Sequence, residues 1–403
     1  MKIEKKISTI LCERFNLFCS LCSLHGLIYL RRDVHLPVCD RVFWATVFTS
    51  SLLVSLFIIY NVWHNWVTNP FVIVYDPNVR PIWDIPFPSV TVCSFVAVKR
   101  SFLDLSQTSD RKALFFSSLI CAAKEFFINK NLSVRPEEMD EFYEFVDKAT
   151  PSCDEMIRRC YWQNVEFPCC KIFFPIITSL GRCYIINSLP SDMLFTYQTD
   201  KKFLFNDSYP QDTRYWSPEN GYPRPDQRGL EGDSTYPKWA DTPGYEGGLS
   251  VEIEEDMSEW QDVCAGGYSG FKVLVNSPEE APITSQAALR TPMKHDFLVK
   301  LFPRTIRTDL SLSSTHARLR GCLFQKERKL QHFGTYTQNN CMLECLMDSA
   351  LELCHCVPFY MPRNSSVPVC SRDSDQKCFR RVTGKFHDKA QNPLLTNLGK
   401  NQR

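Results

Sequence analysis

A stretch of 22 residues without a charged side chain, residues 42–63, constrains the fold of this 403-residue chain more than any other feature. A helix needs roughly 20 predominantly apolar residues to cross a lipid bilayer. A buried core helix of this length usually carries a charge, and a signal peptide would begin closer to Met1. The stretch therefore predicts a transmembrane helix over residues 42–63.

Basic side chains are distributed unevenly around this span. Arg80 is the first one after it, whereas seven precede it: Lys2, Lys5, Lys6, Arg14, Arg31, Arg32 and Arg41. Positive charge favours the cytosolic side of a membrane. We therefore expect a plasma-membrane protein in which residues 1–41 are cytosolic and everything beyond about Trp66 is extracellular.

Cysteine is abundant, and 15 of the 19 cysteines lie at or beyond Cys93. The densest run, between Cys322 and Cys378, contains the spacing C-x3-C-x8-C-x-C, which is compatible with a metal site or with a disulfide framework. Zinc ligands must stay reduced thiolates, whereas extracellular thiols meet an oxidising environment, so the topology favours disulfides. The same side carries three glycosylation sequons, at Asn131, Asn206 and Asn364.

Composition and motifs exclude several classes of function. A net charge of +1 gives no electrostatic reason to expect a nucleic acid partner. Common motifs of hydrolases, zinc proteases and nucleotide-binding enzymes are absent from the sequence, so we expect neither an enzyme nor a cofactor or metal site. One acidic group invites a cation-site interpretation, but a solvated strand edge and turn explain it better: Glu252, Glu254, Glu255, Asp256 and Glu259.

The segment before the span has helical character of its own. Its apolar residues recur at helical spacing and could rest on the membrane or line its inner face: Leu17, Leu21, Leu24 and Ile28. His25 and Gly26 interrupt this run. Cys19 and Cys22 form a CxxC pair, but no βαβ pattern surrounds them, so we expect reduced or lipidated cysteines rather than a redox site.

Strand and helix signals alternate beyond the span. β-branched and aromatic residues predict strands at residues 87–95, 249–253, 271–275 and 296–302. Asp110 can cap a helix that runs to about Asn129. A second helix opens at Pro136, with an apolar face of core residues that comprises Met139, Phe142 and Val146.

The C-terminal cysteines predict part of their own pairing. Residues 336–353 have helical character, and Cys341 and Cys345 project from one face because they are four residues apart. Two later cysteines flank a single residue, so they point apart in an extended chain and should bond to different downstream partners. These are Cys354 and Cys356, and the downstream cysteines are Cys370 and Cys378. The sequence leaves open the pairing of Cys121, Cys153, Cys160, Cys169, Cys170 and Cys264.

Six features in order carry a family resemblance. They are SLHGLIYL (23–30), Arg41 with Trp44, FPSVTVC (87–93), GRCYIIN (181–187), PGYEGGLSVEI (243–253) with GFKVLVNSPEEAP (270–282), and the cysteine run itself. With these features the chain resembles the degenerin/epithelial sodium channel family, and most closely its pickpocket branch.

The resemblance implies a membrane protein with an N-terminal transmembrane helix and an α+β, disulfide-rich extracellular domain, residues 64–378, made of a β-palm and a helical thumb. Members of that family are trimeric, amiloride-sensitive sodium channels whose subunits have two membrane helices. Sodium ions, homologous subunits and an unknown extracellular ligand are the implied partners. A role in gating is implied for His25 and Gly26. The implied disulfides are Cys93 with Cys183, Cys354 with Cys378, and Cys356 with Cys370.

The sequence departs from the family pattern towards its end. Residues 379–403 form a polar tail without an apolar run of roughly 20 residues, so we expect no second membrane helix and no Gly-x-Ser selectivity filter. Family counterparts of Cys322, Cys341 and Cys345 bond to cysteines beyond this point, so we expect these three to stay unpaired. Asn276 stands where the family commonly has histidine, so pH sensing is not carried over to that position.

Two functional hypotheses follow. The first is a subunit or truncated isoform of an amiloride-sensitive, ligand-gated sodium channel, or an incomplete version of a complete one. It would not conduct alone, because a pore needs helices that line it and a filter that replaces the hydration of the ion. The alternative is a single-span surface receptor or regulatory subunit that binds a ligand through its disulfide-rich domain.

Overall fold

The computed structural model describes residues 2–23, 26–31, 37–68, 74–75, 80–127, 130–200, 214–218, 221–222, 235–282, 288–306 and 308–391. The chain divides into two compact units. The first unit comprises Met1–Asp76 and Thr305–Leu323, and the second comprises Pro77–Arg304 and Phe324–Arg403.

Eleven α-helices and ten strands are formed by the described residues. The helices are α1 (Lys2–Leu21), α2 (Val38–Thr68), α3 (Arg111–Ile120), α4 (Met139–Ala149), α5 (Cys153–Met156), α6 (Cys169–Ile172), α7 (Ser191–Leu194), α8 (Asp262–Ala265), α9 (Ala317–Arg320), α10 (Gln338–Cys354) and α11 (Asp373–Gln391). The strands are β1 (Ser89–Ser94), β2 (Ile157–Trp162), β3 (Val165–Phe167), β4 (Phe174–Thr178), β5 (Gly181–Ile186), β6 (Arg214–Tyr215), β7 (Thr235–Tyr236), β8 (Leu249–Ile253), β9 (Phe271–Asn276) and β10 (Ala288–Thr291).

The predicted membrane span lies within α2. This helix has 31 residues and extends beyond residues 42–63 at both ends. Its most apolar stretch is not buried against protein. Within the described residues, α2 is the one helix that is long and apolar enough to cross a membrane. The prediction of an N-terminal transmembrane helix is confirmed.

The second unit is built on a five-stranded antiparallel sheet in the order β10-β9-β1-β5-β4. Its central strand, β1, is the predicted FPSVTVC strand. Val92 of β1 lies opposite Tyr184 of β5 on one side and Val273 of β9 on the other. A central position suits this segment because β-branched side chains pack well on a sheet that is covered on both faces.

Opposite faces of this sheet bury different cores, because successive side chains of a strand point in opposite directions. On one face Cys93 and Leu274 pack with Met347 of α10. On the other face Val92 and Tyr184 pack against the smaller sheet β3-β2-β8. The sheet therefore joins the cysteine-rich helix α10 on one side to the cross-linked residues of β2 on the other.

A third core lies between α3 and α4. The Asp110 side chain accepts hydrogen bonds from the backbone N–H groups of Lys112 and Ala113, so the predicted cap is present. α3 ends at Ile120 rather than near Asn129, because Cys121 turns to an extended conformation and bonds to Cys264. In α4 the predicted apolar face is buried, and the side chains concerned are Met139, Phe142 and Val146.

Two segments differ from their prediction. Residues 296–302 form no strand, and Leu298 and Phe302 are more than 70% exposed. Strand propensity alone does not order a segment, and no neighbouring strand pairs with this one among the described residues. The expected tail from residue 379 begins inside α11, where Phe379 and Val382 are buried. The predicted polar character agrees with the exposed side of this helix, which carries Arg380, Arg381 and Lys385.

Candidate functional site

A tight turn immediately before the membrane helix is the first candidate site. Gly26 is buried and has a φ of +94°, a left-handed conformation that side chains disfavour. It opens a short 3-10 turn, Leu27–Leu30, in which the Tyr29 N–H donates to the Gly26 carbonyl at 3.2 Å. A Cβ on Gly26 would lie 3.2 Å from Cε3 of Trp44. Both the backbone conformation and the available space therefore favour glycine at this position.

Trp44 fixes the turn to the membrane helix. Its indole stacks on the Tyr29 ring, with centroids 4.5 Å apart and an interplanar angle of 17°. Phe43 meets the same indole edge-on at 5.6 Å. Such aromatic pairs contribute about 0.5–1.5 kcal/mol beyond the area they bury. The turn and the first helical turns of α2 are therefore mechanically linked.

Sequence reasoning identified only part of this site. The family resemblance implies a gating role for His25 and Gly26, and the sequence places Trp44 at the start of the span. His25 lies outside the described residues. Tyr29 was missed, although an aromatic residue three positions after the glycine was a usable signal. The contact between Gly26 and Trp44 could not be read from the sequence, because it depends on how the chain folds back.

Cysteines form the second candidate site, a framework of six disulfides in the second unit. The bonds are Cys93–Cys183, Cys121–Cys264, Cys153–Cys170, Cys160–Cys169, Cys354–Cys378 and Cys356–Cys370. Three of them are the pairs that the family resemblance implies. The sequence leaves the other three open. Two of them involve the adjacent Cys169 and Cys170, each of which is close enough in sequence to bond to either Cys153 or Cys160.

The thumb-like part of the framework is closed by α10 and α11. Cys354 ends α10 and bonds to Cys378 on α11. His355 adopts a left-handed conformation with φ +59°, and this reversal sends Cys356 towards Cys370 instead. The two cysteines thus diverge as expected, but a helix C-cap separates them rather than the alternation of an extended strand.

Three cysteines that follow α2 in the chain form no disulfide in the structure: Cys322, Cys341 and Cys345. Cys341 and Cys345 lie one turn apart on α10 and are partly buried. Burial raises the pKa of the Cys345 thiol, and the neighbouring Cys341 raises it further. Because the thiolate is the nucleophilic form, this shift lowers the reactivity of Cys345 at neutral pH.

Two side chains of the acidic group near β8 have partners within the fold, and one of them is buried rather than solvated as the sequence predicts. Glu254 pairs with Arg158 at 2.8 Å. Glu255 is buried and accepts hydrogen bonds from Ser94 Oγ at 2.6 Å and from the Gly270 N–H at 2.9 Å. In the described ranges no cluster of three or more His, Cys, Asp and Glu side chains is placed to hold a metal ion.

The remaining predicted positions lie on the surface or outside the described part. Asn131 and Asn364 are exposed, as glycan acceptors must be. Asn206 is not among the described residues. Asn276 ends β9 and lies opposite Ser89 of β1, whose hydroxyl donates to the Asn276 carbonyl at 3.2 Å.

Comparison with known proteins gives a consistent result. The family model of the amiloride-sensitive sodium channel matches residues 18–402. Pickpocket protein 28 of Drosophila melanogaster is 27% identical over 384 residues, which cover 93% of this chain and 60% of that protein. The sodium channel protein Nach of the same organism is 20% identical, covering 91% of this chain and 65% of its own length. Acid-sensing ion channel 4 of Mus musculus is 22% identical, and the match covers 81% of this chain and 52% of that protein. The chain thus spans between about half and two thirds of the length of these relatives.

Proposed function

The chain belongs to the amiloride-sensitive sodium channel family, and we propose that it is a subunit of a sodium channel in the plasma membrane. The observation that carries this proposal is the family match over residues 18–402, which includes both the membrane helix and the disulfide-rich unit. Homologous subunits would complete a trimer around the pore. Amiloride would block the assembled channel, and an extracellular ligand would gate it.

The N-terminus would face the cytosol. Seven basic residues precede the predicted span at residues 42–63, and the positive-inside bias supports this orientation. Disulfides form readily on the extracellular side and rarely in the cytosol, so the six bonds of the second unit agree with it.

The turn at Gly26 would take part in gating. Its stacked contact with Trp44 supports this role, since any movement of α2 about its cytosolic end changes a contact that has almost no free space. Two arrangements of the turn would then correspond to two positions of the helix, which is the kind of bistable element that a gate requires.

Conduction would need membrane helices from homologous subunits in addition to α2. A pore requires several lining helices and a constriction, and the described residues contain one helix able to span the membrane. We expect the 403-residue polypeptide expressed alone to give no sodium current. Co-expression with a homologous channel subunit should instead produce a complex that co-purifies and has an altered amiloride-sensitive current.

The alternative is a single-span receptor or regulatory subunit. It is favoured by the six disulfides, each of which joins two cysteines of this chain and so stabilises the second unit without a partner. Surface expression with no effect on any co-expressed homologous channel would favour this function over the first.

A further inference from the structure

The helix α1 exposes a continuous apolar face that nothing in the described part of its unit covers. Six large apolar side chains of this helix are between 45% and 77% exposed: Ile10, Leu11, Phe15, Leu17, Phe18 and Leu21. Six such residues within 12 positions are too many for scattered surface residues, and contiguous apolar surface normally marks an interface.

The opposite side of α1 is polar. At 100° per residue, Glu13, Asn16 and Ser20 fall on the side away from Leu11 and Phe18. The apolar arc is wider than the roughly 100° stripe that a helix needs to pack on a protein core. Arg14 falls within the arc, where a long side chain can keep its charge at the water boundary while its stem lies along apolar surface. This pattern is typical of a helix that lies flat in a membrane interface.

The position of α1 limits what can cover its apolar face. Sixteen residues separate Leu21 from Val38, so the end of α1 is at most roughly 55 Å along the chain from the start of the membrane helix. The same unit contains both helices. A helix tethered this closely to a membrane span is always near the bilayer surface, whereas a freely diffusing partner must first encounter it.

The positive charge of the N-terminal segment also favours the membrane surface as the partner of α1. Lys2, Lys5 and Lys6 cluster at the N-terminal end of α1, and the 41 residues before the predicted span contain seven basic and four acidic side chains. Anionic headgroups attract basic residues near a membrane surface. Two copies of a net positive helix would instead repel each other at their N-terminal ends.

We propose that α1 lies in the plane of the membrane, with its apolar face buried at the headgroup–acyl boundary of the leaflet that contains the N-terminal end of α2, where anionic lipids strengthen its binding. This inference rests on the membrane-spanning role of α2, but it requires neither conduction nor a partner subunit. α1 thus holds the turn at Gly26 between two membrane-bound helices.

Quenching by brominated phospholipid tests this placement in the full 403-residue chain reconstituted into vesicles. A fluorescent non-natural amino acid is placed at Leu11 or Phe18 on the apolar face, and at Glu13 or Ser20 as matched controls on the polar face. Leu56 within α2 is the positive control. We expect quenching at Leu11 and Phe18 to be several-fold greater than at Glu13 and Ser20. Equal or negligible quenching at all four positions, with Leu56 still quenched, would overturn the proposal.

Lipid charge provides the second readout. Replacing part of the phosphatidylcholine by phosphatidylserine should increase quenching at Phe18, and the double substitution Lys5→Gln, Lys6→Gln should remove that increase. Fluorescence at Phe18 could instead be the same in both lipid mixtures and in brominated lipid, but change when the protein is diluted. That result would show that another copy covers this face, and it would overturn the proposal. Failure of the channel function leaves these results unaffected, so the two claims can fail separately.

Discussion

The indole of Trp44 occupies the space that a Cβ on Gly26 would need, with Cε3 only 3.2 Å from the position of that atom. The glycine is also held at φ +94°, so its replacement perturbs the backbone and the aromatic contact at once. This double constraint makes the turn sensitive to a single methyl group.

Gly26→Ala should therefore shift the gating equilibrium of a channel that contains this chain. A left-handed alanine costs about 1–2 kcal/mol. Because the second arrangement of the turn would relieve this strain, the equilibrium should shift by up to roughly 5–30-fold. The measurement is the open probability of the co-assembled channel. Gly321→Ala is the control, since Gly321 also has a positive φ, +70°, and no atom within 4 Å of the added Cβ. Equal open probabilities for Gly26→Ala and the unmodified chain would exclude a gating role for the turn.

Much of the fold could be predicted because it depends on local patterns. The charge-free stretch specified α2, β-branched residues specified β1, and Asp110 specified the start of α3. Contacts between distant residues could not be predicted in this way. The Tyr29–Trp44 stack and the early end of α3 at Cys121 both depend on partners brought close only by the complete fold.

Residues 296–302, which are predicted to form a strand and do not, also show that local patterns do not determine contacts between distant segments. Its residues have high strand propensity, but a strand is stabilised by its neighbours, and none pairs with it among the described residues. Sequence patterns therefore predicted elements well and predicted their pairing poorly, apart from the cysteines for which a family resemblance supplied partners.

Removing the bond between Cys356 and Cys370 should destabilise the second unit. The two residues are 14 apart, and closing a loop of about this length contributes roughly 3 kcal/mol in the chain-entropy account. We expect Cys356→Ala to lower the free energy of unfolding by about this amount, measured by denaturant titration in detergent. Cys345→Ala, which removes a thiol that forms no disulfide, is the control and should change it by less than about 1 kcal/mol. Equal effects of both substitutions would contradict the pairing.

His332 should make the second unit less stable in mild acid. Burial lowers the pKa of this side chain, although Glu344 and Asp348 oppose the effect. Its Nδ1 lies 3.2 Å from the Thr199 hydroxyl. As the pH falls through the ordinary histidine pKa of about 6.5, the unfolded chain binds a proton that the folded chain resists, so the free energy of unfolding falls.

The sign of this effect can be checked with one substitution. His332→Asn keeps a polar side chain but removes the group that titrates. The free energy of unfolding of this variant should therefore fall less than that of the unmodified chain between pH 7.5 and pH 5.5. Thermal unfolding of both proteins across that range measures the difference. Parallel pH profiles would show that His332 does not contribute.

Glycosylation provides a test of orientation. Asn131 and Asn364 are exposed in sequons, and a glycan is added only to residues that enter the secretory lumen. We expect Asn131→Gln and Asn364→Gln each to remove one glycan, seen as a stepwise increase in gel mobility that glycosidase treatment abolishes. An unglycosylated chain at the cell surface would contradict the proposed orientation.

The central claim is that this chain is a subunit of a sodium channel, and the most direct measurement is current under voltage clamp. The chain is expressed in oocytes alone, and then together with a full-length homologous subunit, with its surface expression checked in both cases. We predict no amiloride-sensitive sodium current from the chain alone and a several-fold change in the current of the homologous channel when the chain is present. An unchanged current in the presence of surface-expressed chain would contradict the account.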